Sequence, residues 1–155
     1  MKNIFIAKSS VLTQKIAANF AQKISAVKPG FTAVVVGLIG ELGSGKTVFA
    51  KGFAKGFGVK EIITSPTFVI ERIYKLKIKN YKLFIHIDAY RIKPKELAAL
   101  SFQDLLRDPL NIILIEWADR VKKILPRKTT LIQLETLKKN QRKICLKDKN
   151  IYGEK

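Results

Sequence analysis

A chain of 155 residues with 47% apolar residues can bury a real core and is not an extended disordered polymer. One cysteine, Cys145, and one histidine, His86, exclude an internal disulfide framework, a thiolate zinc cluster and a multi-histidine metal site. Lys and Arg number 30 against 12 Asp and Glu, a formal charge of +18 that attracts polyanions; the 24 Lys and 20 Ile behind it are equally what an A/T-rich coding bias produces, so the charge permits nucleic-acid contact without requiring it.

Residues 3–7 read as a short strand, and Ser9 or Ser10 as the N-cap of a helix reaching Val27. Val11, Leu12, Ile16, Ala17, Phe20, Ala21 and Ile24 fall at helical spacing there, and Pro29-Gly30 is the stop signal. Lys8 ends the first apolar run too early for a signal peptide. No run approaches the ~18–20 apolar residues of a membrane helix, so a cytoplasmic chain is expected. Residues 32–39, Thr-Ala-Val-Val-Val-Gly-Leu-Ile, are continuous and β-branched, as in a parallel strand buried on both faces. A glycine-rich turn, Gly40 to Thr47, follows. A helix then carries Phe49, Phe53 and Phe57 at every fourth position and closes at Gly58. The echo KGFA/KGFG inside it is too short to be a structural repeat.

Ile62 to Leu76 is β-branched and aromatic around Ser65-Pro66-Thr67-Phe68, and residues 83–88 read as a second buried strand. Lys75, Lys77, Lys79 and Lys82 between them mark a solvated hairpin tip or loop. Pro94 opens an expected helix over 94–106. Residues 111–116 are a third apolar run, 119–125 are helical up to Pro126, and the tail over 129–148 holds two alternating segments that fit an edge hairpin. No interdomain linker interrupts this pattern. Residues 1–155 are expected to be one α/β domain with a single central sheet, flanking helices and a C-terminal antiparallel edge hairpin.

Gly40-Glu41-Leu42-Gly43-Ser44-Gly45-Lys46-Thr47 matches G-x-x-x-x-G-K-[ST] at each fixed position, and it stands between a buried strand and a helix. The glycines permit positive φ, so that backbone N–H groups wrap phosphate oxygens, and the new helix points its positive end at them. Lys46 is placed to reach the β- and γ-phosphates, and Thr47 to offer its hydroxyl to Mg²⁺. The fold expectation is therefore P-loop NTPase-like. Such a site needs a carboxylate, and Asp88 and Glu116 both end apolar strands, where acids face the ligand crevice of an open α/β sheet. His86, two residues before Asp88, shares its face and is either a core histidine with a satisfied hydrogen bond or a group that tunes the site. Thr67 has a loop-like setting suited to sensing a γ-phosphate. Trp117 alone is open between core, interface and nucleotide contact.

GELGSGKT, SPTF, HIDAYR followed by PKEL, and IEW, in this order, resemble the bacterial TsaE family, small P-loop ATPases of tRNA threonylcarbamoyladenosine biosynthesis. The likeness runs from about Ser9 to Pro126. It implies that Gly43, Ser44, Gly45, Lys46, Thr47 and Val48 bind the nucleotide phosphates and that Ser10 approaches the base. It further implies that Thr47 and Glu116 hold Mg²⁺, that Asp88 is the Walker-B-like acid, and that Thr67 belongs to a switch-like loop. Tyr90, Arg91 and Trp117 match family positions near the site. The implied activity is weak Mg²⁺-dependent ATP hydrolysis, activated by a TsaD–TsaB complex, with tRNA contact left open and expected through the partners. Only Arg91 among the motif segments offers an arginine in cis.

Two departures stand out. Ala89 replaces the usual Leu, a packing change, and Ser101 stands where a Gly is expected after PKEL, which puts that turn in question. The C-terminal tail carries no transferable motif. Two other readings stay open beside the family one. A small P-loop metabolite kinase would need an acceptor pocket from residues 71–82 and 92–110. A basic nucleic-acid-binding module with a relict P-loop would have no use for intact Lys46, Thr47, Asp88 and Glu116.

Overall fold

The runs that alternate least are the ones buried on both faces. In a computed structural model of the chain, which describes residues 2–64 and 70–147, these runs form the middle of one seven-stranded sheet. In chain order the strands are β1 Lys2–Ala7, β2 Val34–Ile39, β3 Glu71–Lys75, β4 Leu83–Asp88, β5 Asn111–Glu116, β6 Thr130–Lys138 and β7 Gln141–Lys147. They lie side by side as β1-β7-β6-β2-β5-β4-β3. The centre is parallel, with β2 between β6 and β5 and β4 beside β5. Every residue of β5 is buried, as expected of a strand covered on both sides. The C-terminal pair β6–β7 is the expected antiparallel hairpin but not at the expected edge, because the N-terminal strand adds outside it. The outermost position on that side belongs to β1, which pairs antiparallel with β7.

The helices are α1 Ser10–Ser25, α2 Lys46–Gly56, α3 Pro94–Ala99 and α4 Phe102–Arg107, with a 3-10 segment over Ala118–Ile124. Ser9 caps α1: its hydroxyl oxygen accepts from Leu12 N–H at 3.2 Å. The helix stops at Ala26, ahead of the Pro29-Gly30 signal. The repeated KGFA/KGFG acquires a purpose in the packing of α2. Its phenylalanines join Phe20 and Phe84 in an aromatic cluster, with Phe53 and Phe57 edge to face at 4.9 Å. Gly52 and Gly56 let α1 come so close that a Cβ at either would collide with the backbone of Gln14 or Ala18. The core under α1 and α2 contains Phe49, Phe53 and Leu114; the core on the opposite face contains Ile85, Ile87, Ile113, Ile115, Leu97 and Phe102.

The expected helix over 94–106 is two short helices. Ser101 adopts φ 59° between them, left-handed backbone that glycine takes at least cost, so the turn keeps the glycine geometry without the glycine. Between Ile62 and Leu76 the described strand is only Glu71–Lys75, and residues 65–69, which include Thr67, lie outside the described residues. Among the described residues, no helix is long and apolar enough to cross a membrane.

Candidate functional site

Parallel strands end together, so the residues that follow β2, β4 and β5 meet at one end of the sheet. After β2 the chain enters the glycine-rich turn. Gly43 and Gly45 take φ values of 77° and 99°, which curl the loop and aim the start of α2 into a cleft. Among the described residues no side chain caps that helix start, which leaves its first N–H groups for a ligand. The cleft is about 610 Å³, and Ser10, Gly43, Gly45, Lys46, Thr47, Val48, Asp88, Glu116 and Trp117 line it. Ser44 is buried in the turn beneath, where its N–H donates to Glu41 O at 3.0 Å.

Lys46 is folded back on its own loop. Its Nζ donates to Gly40 O at 2.6 Å and to Glu41 O at 2.9 Å, and stands 3.7 Å from the ring centre of Trp117. Burial pushes its ammonium below the ordinary lysine value, against the opposing pull of Glu116, Asp119, Asp88 and Glu41. A desolvated cation held by carbonyls and a π face is poised to exchange them for an anion.

Asp88 and Glu116 are register partners on β4 and β5. Glu116 is 2% exposed. Thr47 Oγ1 donates to its carboxylate, 3.1 Å from Oε2 and 3.3 Å from Oε1, across 69 residues of sequence. His86, fully buried, places Nε2 2.9 Å from Oε1 of the same carboxylate. His86 is therefore a core histidine whose hydrogen-bond partner is a site acid. Asp88 Oδ1 accepts from Tyr90 N–H at 2.8 Å, which fixes the turn leaving β4.

Trp117 packs on the site. It adopts φ 59°, a costly conformation for a bulky residue, and this turns its ring toward Lys46. Tyr90 lies 4.8 Å from that ring. Arg120 covers Tyr90 at 4.6 Å and donates to Tyr90 O at 2.7 Å. Arg91 is exposed and does not line the cleft.

The cations that sequence reasoning missed are Arg120 and Arg142. Arg142, on β7, sends Nη2 to Gly43 O at 3.2 Å, while its Nη1 holds the carbonyls of Lys138, Lys139 and Gln141. The tail that carried no motif thus contributes Lys139, Asn140 and Arg142 to the cleft wall. No local signal ties a hairpin arginine to a loop 99 residues away.

The family model described as "Threonylcarbamoyl adenosine biosynthesis protein TsaE" matches residues 7–144. The chain belongs to the TsaE family. It is 38% identical over 140 residues to the tRNA threonylcarbamoyladenosine biosynthesis protein TsaE of Rickettsia typhi, covering 89% of this chain and 90% of the relative. It is 34% identical over 130 residues to the protein of that name from Bacillus subtilis, covering 84% and 73%. The crystal structure of Bacillus subtilis YdiB superposes with a TM-score of 0.73 at 26% identity, covering 94% of this chain and 84% of that one. TsaE membership accounts for SPTF, HIDAYR and IEW occurring together, and the sheet joins the last two at the ends of β4 and β5.

Proposed function

We propose that this TsaE-family chain binds and hydrolyses ATP with Mg²⁺ as a subunit of the tRNA threonylcarbamoyladenosine machinery, acting on a TsaD–TsaB complex, with tRNA reached through those partners. The observation that carries the reading is the Thr47–Glu116 hydrogen bond at the mouth of a glycine-rich turn that opens a helix. It couples the hydroxyl expected on Mg²⁺ to a buried acid from another strand.

The donor set fits the metal. Mg²⁺ prefers hard oxygen ligands, keeps several waters, and takes one or two protein oxygens plus phosphates. Thr47 and Glu116 offer that, and neither needs to be recruited from elsewhere. When bound, the ion would neutralise charge on the β- and γ-phosphate oxygens. The chain's own part is to bind and orient. Backbone N–H groups from Gly43 to Val48 would receive phosphate oxygens, and Lys46 would leave Gly40 O and the Trp117 face for them. Ser10, on the cleft wall, would meet the base. Asp88 would order the attacking water or the metal's outer shell, and Thr67, by resemblance, would respond to the γ-phosphate.

Turnover by the isolated chain is expected to be slow, because stabilising transferred phosphoryl charge calls for a correctly aimed cation. Arg142 is occupied with backbone carbonyls and Arg120 with Tyr90. The test is ATP turnover measured alone and then with the TsaD–TsaB pair from the same source. Stimulation is expected, and Asp88→Asn should keep ATP binding while lowering stimulated turnover by ~10²-fold or more, the scale of one positioned catalytic group. Fast turnover by the isolated chain with no response to partners would overturn the partner-dependent reading, and a phosphorylated small-molecule acceptor would replace it with a kinase.

A further inference from the structure

We infer that His86 is a positioning residue that holds the Glu116 carboxylate in its metal-binding orientation; this rests on the Mg²⁺–nucleotide reading above. In the parallel register Glu116 stands opposite Asp88, while His86 stands opposite Leu114. The Glu116 carboxylate nevertheless lies 2.9 Å from His86 Nε2, so the side chain reaches back along the sheet toward the level of Leu114. One oxygen, Oε1, is taken by the imidazole. Thr47 Oγ1 lies 3.1 Å from Oε2 and 3.3 Å from Oε1, so Oε2 is the oxygen it reaches without sharing it with the imidazole. A carboxylate tied at one oxygen presents the other in a fixed direction, as outer-shell hydrogen bonds do for metal ligands generally.

The imidazole is itself held. It is fully buried and lies nearly parallel to the Phe84 ring, with centres 6.2 Å apart and planes 15° apart. Phe84 in turn packs on Phe53 of α2, the helix that begins with Lys46 and Thr47. Nδ1 is buried with no hydrogen-bond partner among the described residues. That assigns the tautomer. A carboxylate only accepts, so the proton sits on Nε2; the alternative would bury an unpaired N–H at Nδ1 and set two lone pairs against each other at Glu116.

The chain has a single histidine, so one pair of ring-nitrogen resonances reports the site without assignment by mutation. In the ¹⁵N-labelled wild-type protein Nε2 is expected to carry the proton, and both resonances are expected to move when Mg²⁺ is added to the nucleotide complex. A proton on Nδ1, or resonances that stay still while Mg²⁺ binds, would overturn the inference. His86→Leu removes the donor, whereas His86→Gln keeps an N–H at nearly the position of Nε2. The Mg²⁺ concentration that half-saturates nucleotide binding should rise about 10–100-fold in the Leu variant and return most of the way in the Gln variant. Affinity measured without Mg²⁺ should change much less. Equal shifts in both variants, or none, would show a packing role only. A wild-type protein whose nucleotide binding ignores Mg²⁺ would instead remove the functional reading itself, and the positioning role with it.

Discussion

The segment from Val34 to Gly56 and the hairpin from Thr130 to Lys147 both border the cleft, but on different terms. In the first, the functional groups are neighbours in sequence. A buried strand delivers the chain to a turn with two positive-φ glycines, and the turn opens a helix whose uncapped start carries Lys46 and Thr47. In the second, nothing local points at the cleft. The hairpin reaches it because β6 runs parallel beside β2 and β7 then returns past the loop, where Arg142 meets Gly43 O. Chemistry compressed into one segment is thus buttressed by a segment with no motif of its own, and the two should respond differently to substitution.

The largest effect belongs to the first segment. Lys46→Ala should weaken nucleotide binding by ~10²-fold or more, the worth of a charge-assisted contact to phosphate, measured by calorimetry or nucleotide displacement. A loss under about threefold would mean that the backbone cradle alone binds, and the contrast with the hairpin would collapse. Gly52→Ala lies in the same segment but faces α1, where a Cβ has no room. It should cost about 1–3 kcal/mol of stability, read by denaturant unfolding, without a matching change in nucleotide affinity.

Arg142→Ala tests the hairpin. Its contact with Gly43 O is exposed, so the expected loss of nucleotide affinity is about three- to tenfold, the range of an ordinary net hydrogen bond. A loss equal to that of Lys46→Ala would promote the hairpin from buttress to principal binding element. The smallest effect lies outside both. Ser101→Gly should stabilise the chain by about 0.5–1 kcal/mol by relieving the left-handed turn, with nucleotide binding unchanged. If it destabilises instead, the Ser101 side chain does something that no contact in the structure indicates.

Much of this was legible beforehand, for identifiable reasons. Predominantly apolar runs announced β2, β4 and β5, because a strand buried on both faces is apolar along most of its length. The P-loop was legible because its chemistry is local, with turn, cation and hydroxyl within eight positions. Asp88 and Glu116 could be singled out because both close apolar strands downstream of a P-loop, which needs a carboxylate at that end of the sheet. Sequence alone also put His86 on the face of Asp88, through the two-residue period of a strand.

Other features depended on how the strands are ordered. Which acid His86 touches was decided by β4 lying next to β5, a long-range pairing that no periodicity encodes. The same ordering put β1 outside β7, turned the C-terminal hairpin into an inner pair, and carried Arg142 to the P-loop. Trp117 was undecidable locally because its role follows from a left-handed φ that the tertiary packing imposes, which lays the ring under Lys46. Sequence determined the elements and the chemistry each one carries. The tertiary structure decided which side chains meet, since contacts between distant segments are selected by the packing of the whole sheet and its two cores.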